Sequence, residues 1–185
     1  MQVERLAIPE VVLVTPRRFS DRRGYFSETW NRATLAAHGI AADFVQDNHS
    51  YSAARGVVRG LHCQIAPNPQ GKLVRCLRGA IWDVVVDIRV GSPSYGQHVA
   101  AVLSVENGTQ LWVPAGFLHG FCTLQPDSEV AYKVDAHYDR EAERGVAWDD
   151  PDLAVPWPVS AGEAKLSDKD AELPRLADCP AWFTA

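Results

Sequence analysis

Apolar and polar positions along the first 135 residues fall into short runs, rich in β-branched and aromatic side chains and separated by Gly, Pro, Asn and Asp. "VVLVTPRRF", "DFVQDNHSYS", "GVVRGLH", "KLVRCL", "AIWDVVVDIRV", "HVAAVLSV", "TQLWVP", "HGFCTL" and "EVAYKV" each read as a strand. Many short strands at this spacing predict an all-β chain, an antiparallel sandwich or barrel with the jelly roll among the options. "LRGAIW" predicts a hairpin turn between two of them, with Gly79 supplying the unusual backbone angle. One early segment reads as helix: "NRATLAAHG", with Asn31 as N-cap and Gly39 as the stop.

After Tyr138 the pattern changes. "YDREAERG" reads as a helical turn, while "DDPDLAVPWP" carries three prolines in ten residues and must be extended or turned. The polar tail from Ser160 is expected to pack as short helices and loops across the sheet. One jelly-roll domain over 1–185, with a C-terminal extension from about 139, is therefore the expected organisation.

Composition refines this picture only slightly. A chain of 185 residues is long enough for one full core and too short for two comfortable ones. A net charge of −5 argues against a general nucleic-acid or membrane-surface binder. Arg17, Arg18, Arg22 and Arg23 nevertheless leave a local anion site open, though Arg22 also reads as a solvated side chain. Cys63, Cys76, Cys122 and Cys179 form no CxxC pair, and three of them sit in apolar strand-like runs as small hydrophobes. No apolar run of signal length opens the sequence and no stretch approaches a membrane span, so a cytoplasmic, reduced, soluble protein is expected.

The candidate chemistry starts at "VVRGLHCQ", which places Arg59 and His62 in a strand. Gly56 and Gly60 do not form GxGxxG, no GKS or GKT follows a strand, and there is no G-x-S-x-G elbow. Cupin-type barrels hold metals through an H-x-H pair, a carboxylate and a distant histidine. Here "LHCQ" offers His62 but has Gln64 at the second position, and "PAGFLHGF" offers His119. Two histidines without a carboxylate are a poor metal set, so neither metal nor cofactor is expected. His62 then reads as an acid or base, or else as a solvated strand histidine. Arg59 and Lys72 flank it, and Tyr132 sits within "EVAYKV" as a proton donor. Arg59 and His62 are three apart, so a regular strand would point them to opposite faces. They share a cleft only if Gly60 marks a bulge. Asp83 and Asp87 share a strand face and receive no catalytic role.

Seven fragments, "DRRGYFSETWN", "FVQDNHSYS", "GVVRGLHCQ", "PQGKLVRCLRGAIWDVVVDIR", "SPSYGQ", "LWVPAGFLHGF" and "LSDKD", together resemble the dTDP-4-dehydrorhamnose 3,5-epimerase family, in order from about Ile8 to Asp170. The resemblance implies a metal-free jelly-roll homodimer that inverts C3 and C5 of a 4-keto sugar carried on dTDP. It implies His62 as base, oriented by Asp170, Tyr132 as opposing acid and Lys72 facing the C4 oxygen. Arg23 and Glu28, with Gln46, Asp47 and Asn48, are implied nucleotide contacts. Arg59, His119 and Glu143 match further binding positions, as do Lys169 and Tyr138. Cys63 departs from the family, many members of which carry an aromatic residue after the base; its strand parity opposes that of His62, which suits core packing. Open alternatives are a C5-only or C3-only epimerase, a metal-dependent cupin enzyme, and a binding module without activity.

Overall fold

The computed structural model describes residues 1–185. From the N-terminus, β1 (Gln2–Arg5), β2 (Val12–Thr15), β3 (Arg18–Asp21) and β4 (Gly24–Ser27) precede a short helix, α1 (Arg32–Ala37). Next come β5 (Gln46–Ser52), β6 (Val58–Gln64), β7 (Lys72–Arg78), β8 (Ala80–Asp87) and β9 (Arg89–Val90). The sheets are completed by β10 (His98–Ser104), β11 (Gln110–Val113), β12 (Phe117–Thr123), β13 (Ser128–Val134) and β14 (Glu143–Gly145). A second short helix, α2 (Asp168–Ala171), and β15 (Phe183–Thr184) lie in the tail.

Two antiparallel sheets face each other: β1-β2-β11-β7-β13-β5 and β10-β8-β12-β6-β14. The chain is all-β, as its sequence pattern predicts. Alternation along the strands fills the space between the sheets: Val74, Cys76, Leu111 and Val130 meet Ile81, Val85, Leu103, Phe117 and Phe121 in one buried cluster. Part of each sheet's outer face is also covered. Helix α1 lays Leu35 on Val12, Val14, Leu73 and Trp112 of the six-stranded sheet, and Asn31 caps it by accepting from the Thr34 amide at 3.1 Å. The tail brings Val155, Trp157, Leu176 and Trp182 against Leu61, Cys63, Val84, Val86 and Leu118 on the outside of the five-stranded sheet.

Three local expectations need correction. Gly79 does have a left-handed backbone (φ +73°), but β7 and β8 do not pair. They belong to different sheets, so this glycine turns a corner between layers. Its close approach to Ser128, whose hydroxyl would stand 2.5 Å from an added Cβ, gives the corner its tightness. "VVLVTPRRF" breaks at Pro16, which has no N–H to continue a ladder; β2 stays in the sheet and β3 leaves it to pair with β4 alone. "YDREAERG" is a turn followed by β14, because Glu143–Gly145 finds an open strand edge along Gln64–His62.

Candidate active site

The cleft opens between the inward faces of the two sheets, and β6 supplies its reactive wall. Opposite β6, His119 pairs with His62 and Phe121 with Arg59, so three residues of β6 span two of β12. This is the bulge that the spacing of Arg59 and His62 requires. Its consequence is visible in the outer cover: Leu61 and Cys63 lie in the cluster beneath the tail, and Val58 packs with Cys122 and Trp148. Arg59 and His62 accordingly point together into the cleft. Gly60 permits the arrangement: its φ is +117°, and an added Cβ would stand 2.7 Å from the Gly120 Cα and the His119 carbonyl. Burial pushes the Cys63 thiol up to about 12, which fits the packing role read from its parity.

His62 Nε2 lies 2.7 Å from Asp170 Oδ1. Asp170 is buried in α2, where its amide donates to the Ser167 hydroxyl at 3.1 Å, and its second oxygen accepts from the Gly60 amide at 3.4 Å. Burial alone would raise the Asp170 pKa, but the His62 ring and the Gly60 amide outweigh it and hold the carboxyl below its ordinary value. An ionised carboxylate therefore backs the imidazole. With Nε2–H donated to Asp170, the other ring nitrogen keeps its lone pair.

The six-stranded sheet forms the facing wall. Tyr132 and Lys72 line the same chamber as His62, Arg59, His119, Lys169 and Asp170, a space of about 780 Å³ including its open mouth. Burial is the main cause of the raised Tyr132 pKa, so the phenol carries its proton at neutral pH. Burial likewise lowers the Lys72 pKa, with Cys63, Asp135 and Glu143 opposing the shift. Arg59 is fixed by its donation to the Tyr51 carbonyl at 3.1 Å and the Ser52 hydroxyl at 3.3 Å. His119 donates from Nε2 to Asp83 at 2.9 Å. Asp83 is fully buried, and desolvation raises its pKa against the pull of His119.

A second chamber shares His62, Lys72 and Tyr132 and extends past Gln46, Asn48, Tyr138 and Glu143. Here Gln46 donates to Asn48 at 2.7 Å and accepts from the Tyr138 amide at 3.1 Å. Glu143 accepts from the Tyr138 hydroxyl at 2.9 Å and pairs with Lys169 at 2.5 Å. Burial would raise its pKa, but these two partners lower it.

Three of the expected contacts lie elsewhere in the chain. Asp47 alternates with Gln46 and Asn48 and so faces out of the sandwich, where it pairs with Lys133 at 2.9 Å. Arg23 and Glu28 stand exposed on and beside the β3–β4 hairpin, and Arg23 bonds Asp21 at 2.6 Å. Sequence reasoning missed Ser167 as the cap of Asp170 and Asp83 as the partner of His119. The Ser-x-x-Asp spacing of "SDKD" is the N-cap signal that finds the first. The second needs the strand pairing of Asp83 with Phe121, which a single sequence does not disclose. No three His, Cys, Asp or Glu side chains converge on a point where an ion could be held.

The chain's likeness to other proteins agrees with this geometry. A family model for dTDP-4-dehydrorhamnose 3,5-epimerase matches residues 5–178. A dTDP-4-dehydrorhamnose 3,5-epimerase of Sinorhizobium fredii is 53% identical, over 99% of this chain and 93% of its own length. Among solved structures, the epimerase of Bacillus anthracis with TDP and pyrophosphate bound is 47% identical, with a TM-score of 0.91 over 95% of this chain and 99% of that one. A dTDP-6-deoxy-D-glucose-3,5-epimerase of Legionella pneumophila, in complex with dTDP-4-keto-L-rhamnose, is 40% identical, with a TM-score of 0.94 over 100% of this chain and 98% of that one.

Proposed function

The chain belongs to the dTDP-4-dehydrorhamnose 3,5-epimerase family, and from that membership we propose that it converts dTDP-4-dehydro-6-deoxy-D-glucose to dTDP-4-dehydro-L-rhamnose. It is an isomerase. The observation that carries the proposal is the His62–Asp170 pair on one wall of a cleft whose other wall presents a protonated Tyr132 beside Lys72.

C3 and C5 both neighbour the C4 ketone, so loss of either proton delivers an electron pair to the same oxygen. His62 takes the proton from one face, Asp170 stabilises the imidazolium that forms, and Lys72 faces the developing enolate oxygen. Tyr132 returns a proton to the opposite face, and both groups exchange with solvent before the second carbon reacts. One C–H bond breaks and one forms at each carbon, with no change of oxidation state and no step that needs a metal. Arg59 and His119 hold the substrate beside the base, and Gln46, Asn48, Tyr138, Glu143 and Lys169 line the path of its nucleotide.

Arg23 and Glu28 fit this reading if the β3–β4 hairpin reaches the cleft of a second copy, so a homodimer is part of the proposal. The hairpin carries three exposed aromatics, Phe19, Tyr25 and Phe26, which is unusual for a solvated turn. The apolar β2 lies between β1 and β11 of its own sheet and is not free to pair across an interface. No helix is long and apolar enough to cross a membrane, and a cytoplasmic location is proposed on the chemistry of the substrate.

The test is incubation with the 4-keto sugar nucleotide in D2O. Deuterium should enter at C3 and C5 with both centres inverted, at a rate unchanged by prolonged chelation. Tyr132→Phe should still exchange from the His62 face while inversion fails. A rate lost on chelation and restored by a divalent ion, or no deuterium at either carbon, would refute the proposal.

A further inference from the structure

The inward side of β5 carries Gln46, Asn48, Ser50 and Ser52, and three of these are spoken for. Gln46 bonds Asn48 and the Tyr138 amide, and Ser52 accepts from Arg59. The Ser50 hydroxyl is buried and has no hydrogen-bond partner. Two other buried side-chain atoms share that condition, Trp30 Nε1 and Asp83 Oδ2, but Ser50 alone of the three residues lines the cleft. A buried hydroxyl left without a partner is costly, and its position decides what can relieve it. Ser50 stands opposite Val130, one inward step along the sheet from Asn48, which faces Tyr132. The step is away from Gln46 and towards Ser52, which accepts from Arg59.

We propose that the Ser50 hydroxyl is a substrate contact that reads a ring hydroxyl of the sugar, an inference that rests on the epimerase reading of the cleft. The other polar groups of the chamber divide the work by type. Arg59, Lys72 and Lys169 only donate, which suits the diphosphate and the C4 oxygen. A ring hydroxyl both donates and accepts, and the unpartnered Ser50 hydroxyl can match it in either sense. Fixing the ring through a hydroxyl sets its rotation about the long axis of the cleft. That rotation determines whether C3 and C5 both fall before His62. Ser50 thus discriminates for the sugar and is indifferent to the nucleotide.

The experiment compares the parent chain with Ser50→Ala and Ser50→Thr, using dTDP and dTDP-glucose as calorimetric probes and the 4-keto substrate in D2O. Ser50→Ala should bind dTDP as the parent does and dTDP-glucose about 3- to 10-fold more weakly, the scale of one neutral hydrogen bond. Its kcat/KM should fall at least as far, and Ser50→Thr, which keeps the hydroxyl, should recover most of the loss. Unchanged dTDP-glucose affinity in Ser50→Ala overturns the proposal. So does an equal loss for both probes, which would mark a structural role. A parent chain that binds dTDP-glucose but exchanges no substrate proton defeats the epimerase reading while the Ser50 comparison still stands. A parent that does not bind dTDP-glucose defeats both.

Discussion

At the level of single residues, the base proposed above, His62, has a carboxylate as its hydrogen-bond partner. Asp170 is buried and bonded to His62 and Gly60, so Asp170→Asn keeps the shape of the contact and removes its charge. We expect kcat to fall by at least about 100-fold with KM little changed, and the acid limb of the pH–rate profile to move. The same substitution has a stability signature. Because the folded pKa lies below the ordinary 3.8, the unfolded chain binds the proton more readily. The contribution of Asp170 is present above that ordinary value and is lost as pH falls through the lowered one. Urea midpoints measured from pH 6 down to 2 should therefore decline less steeply for Asp170→Asn than for the parent. A parallel decline would show that the carboxylate is not stabilised by its partners.

At the level of elements, Gly60 is the position on which the reactive wall turns. Gly60→Ala meets two backbone atoms at 2.7 Å in a left-handed conformation, and such strain costs about 1–3 kcal/mol before any clash is counted. The variant should unfold at lower urea and lose activity together, because realigning β6 turns Arg59 or His62 away. Gly162→Ala, with an ordinary φ and open space around it, should change neither. In the sequence this bulge is only the condition under which Arg59 and His62, three apart, share a cleft, and the structure contains it. Sequence reasoning located β2, β5 to β8, β10 to β13 and the Asn31 cap from local pattern, but not β1, β4, β14 or β15. It placed the Gly79 turn in the right spot and joined the wrong partners there, since one residue's φ does not say whether the next strand folds back or crosses to another layer. Asp47 shows the limit at the site: it lies between two cleft residues in sequence, and only parity places it on the other face. Asp83 lay beyond reach because its partner is 36 residues away across a strand pair.

At the level of the whole molecule, three exposed aromatic side chains gather on one feature, the β3–β4 hairpin. Its Phe26 is 71% exposed. Light scattering at micromolar concentration should give twice the chain mass of 20.3 kDa. Phe26→Ser should shift it towards one chain and weaken dTDP binding at the same time. A single-chain mass for the parent would contradict the dimer. The remaining feature, the tail, closes the molecule by running back along β6. Val57 bridges to Lys165, and α2 follows with Asp170. His62 and the carboxylate that backs it are 108 residues apart, so the proposed acid–base pair has a built-in order of assembly in time. On the ribosome every strand of both sheets emerges before Asp170 does. A nascent chain can thus pair every strand of both sheets around a histidine with nothing behind it, and the proposed chemistry waits for the segment that carries Asp170.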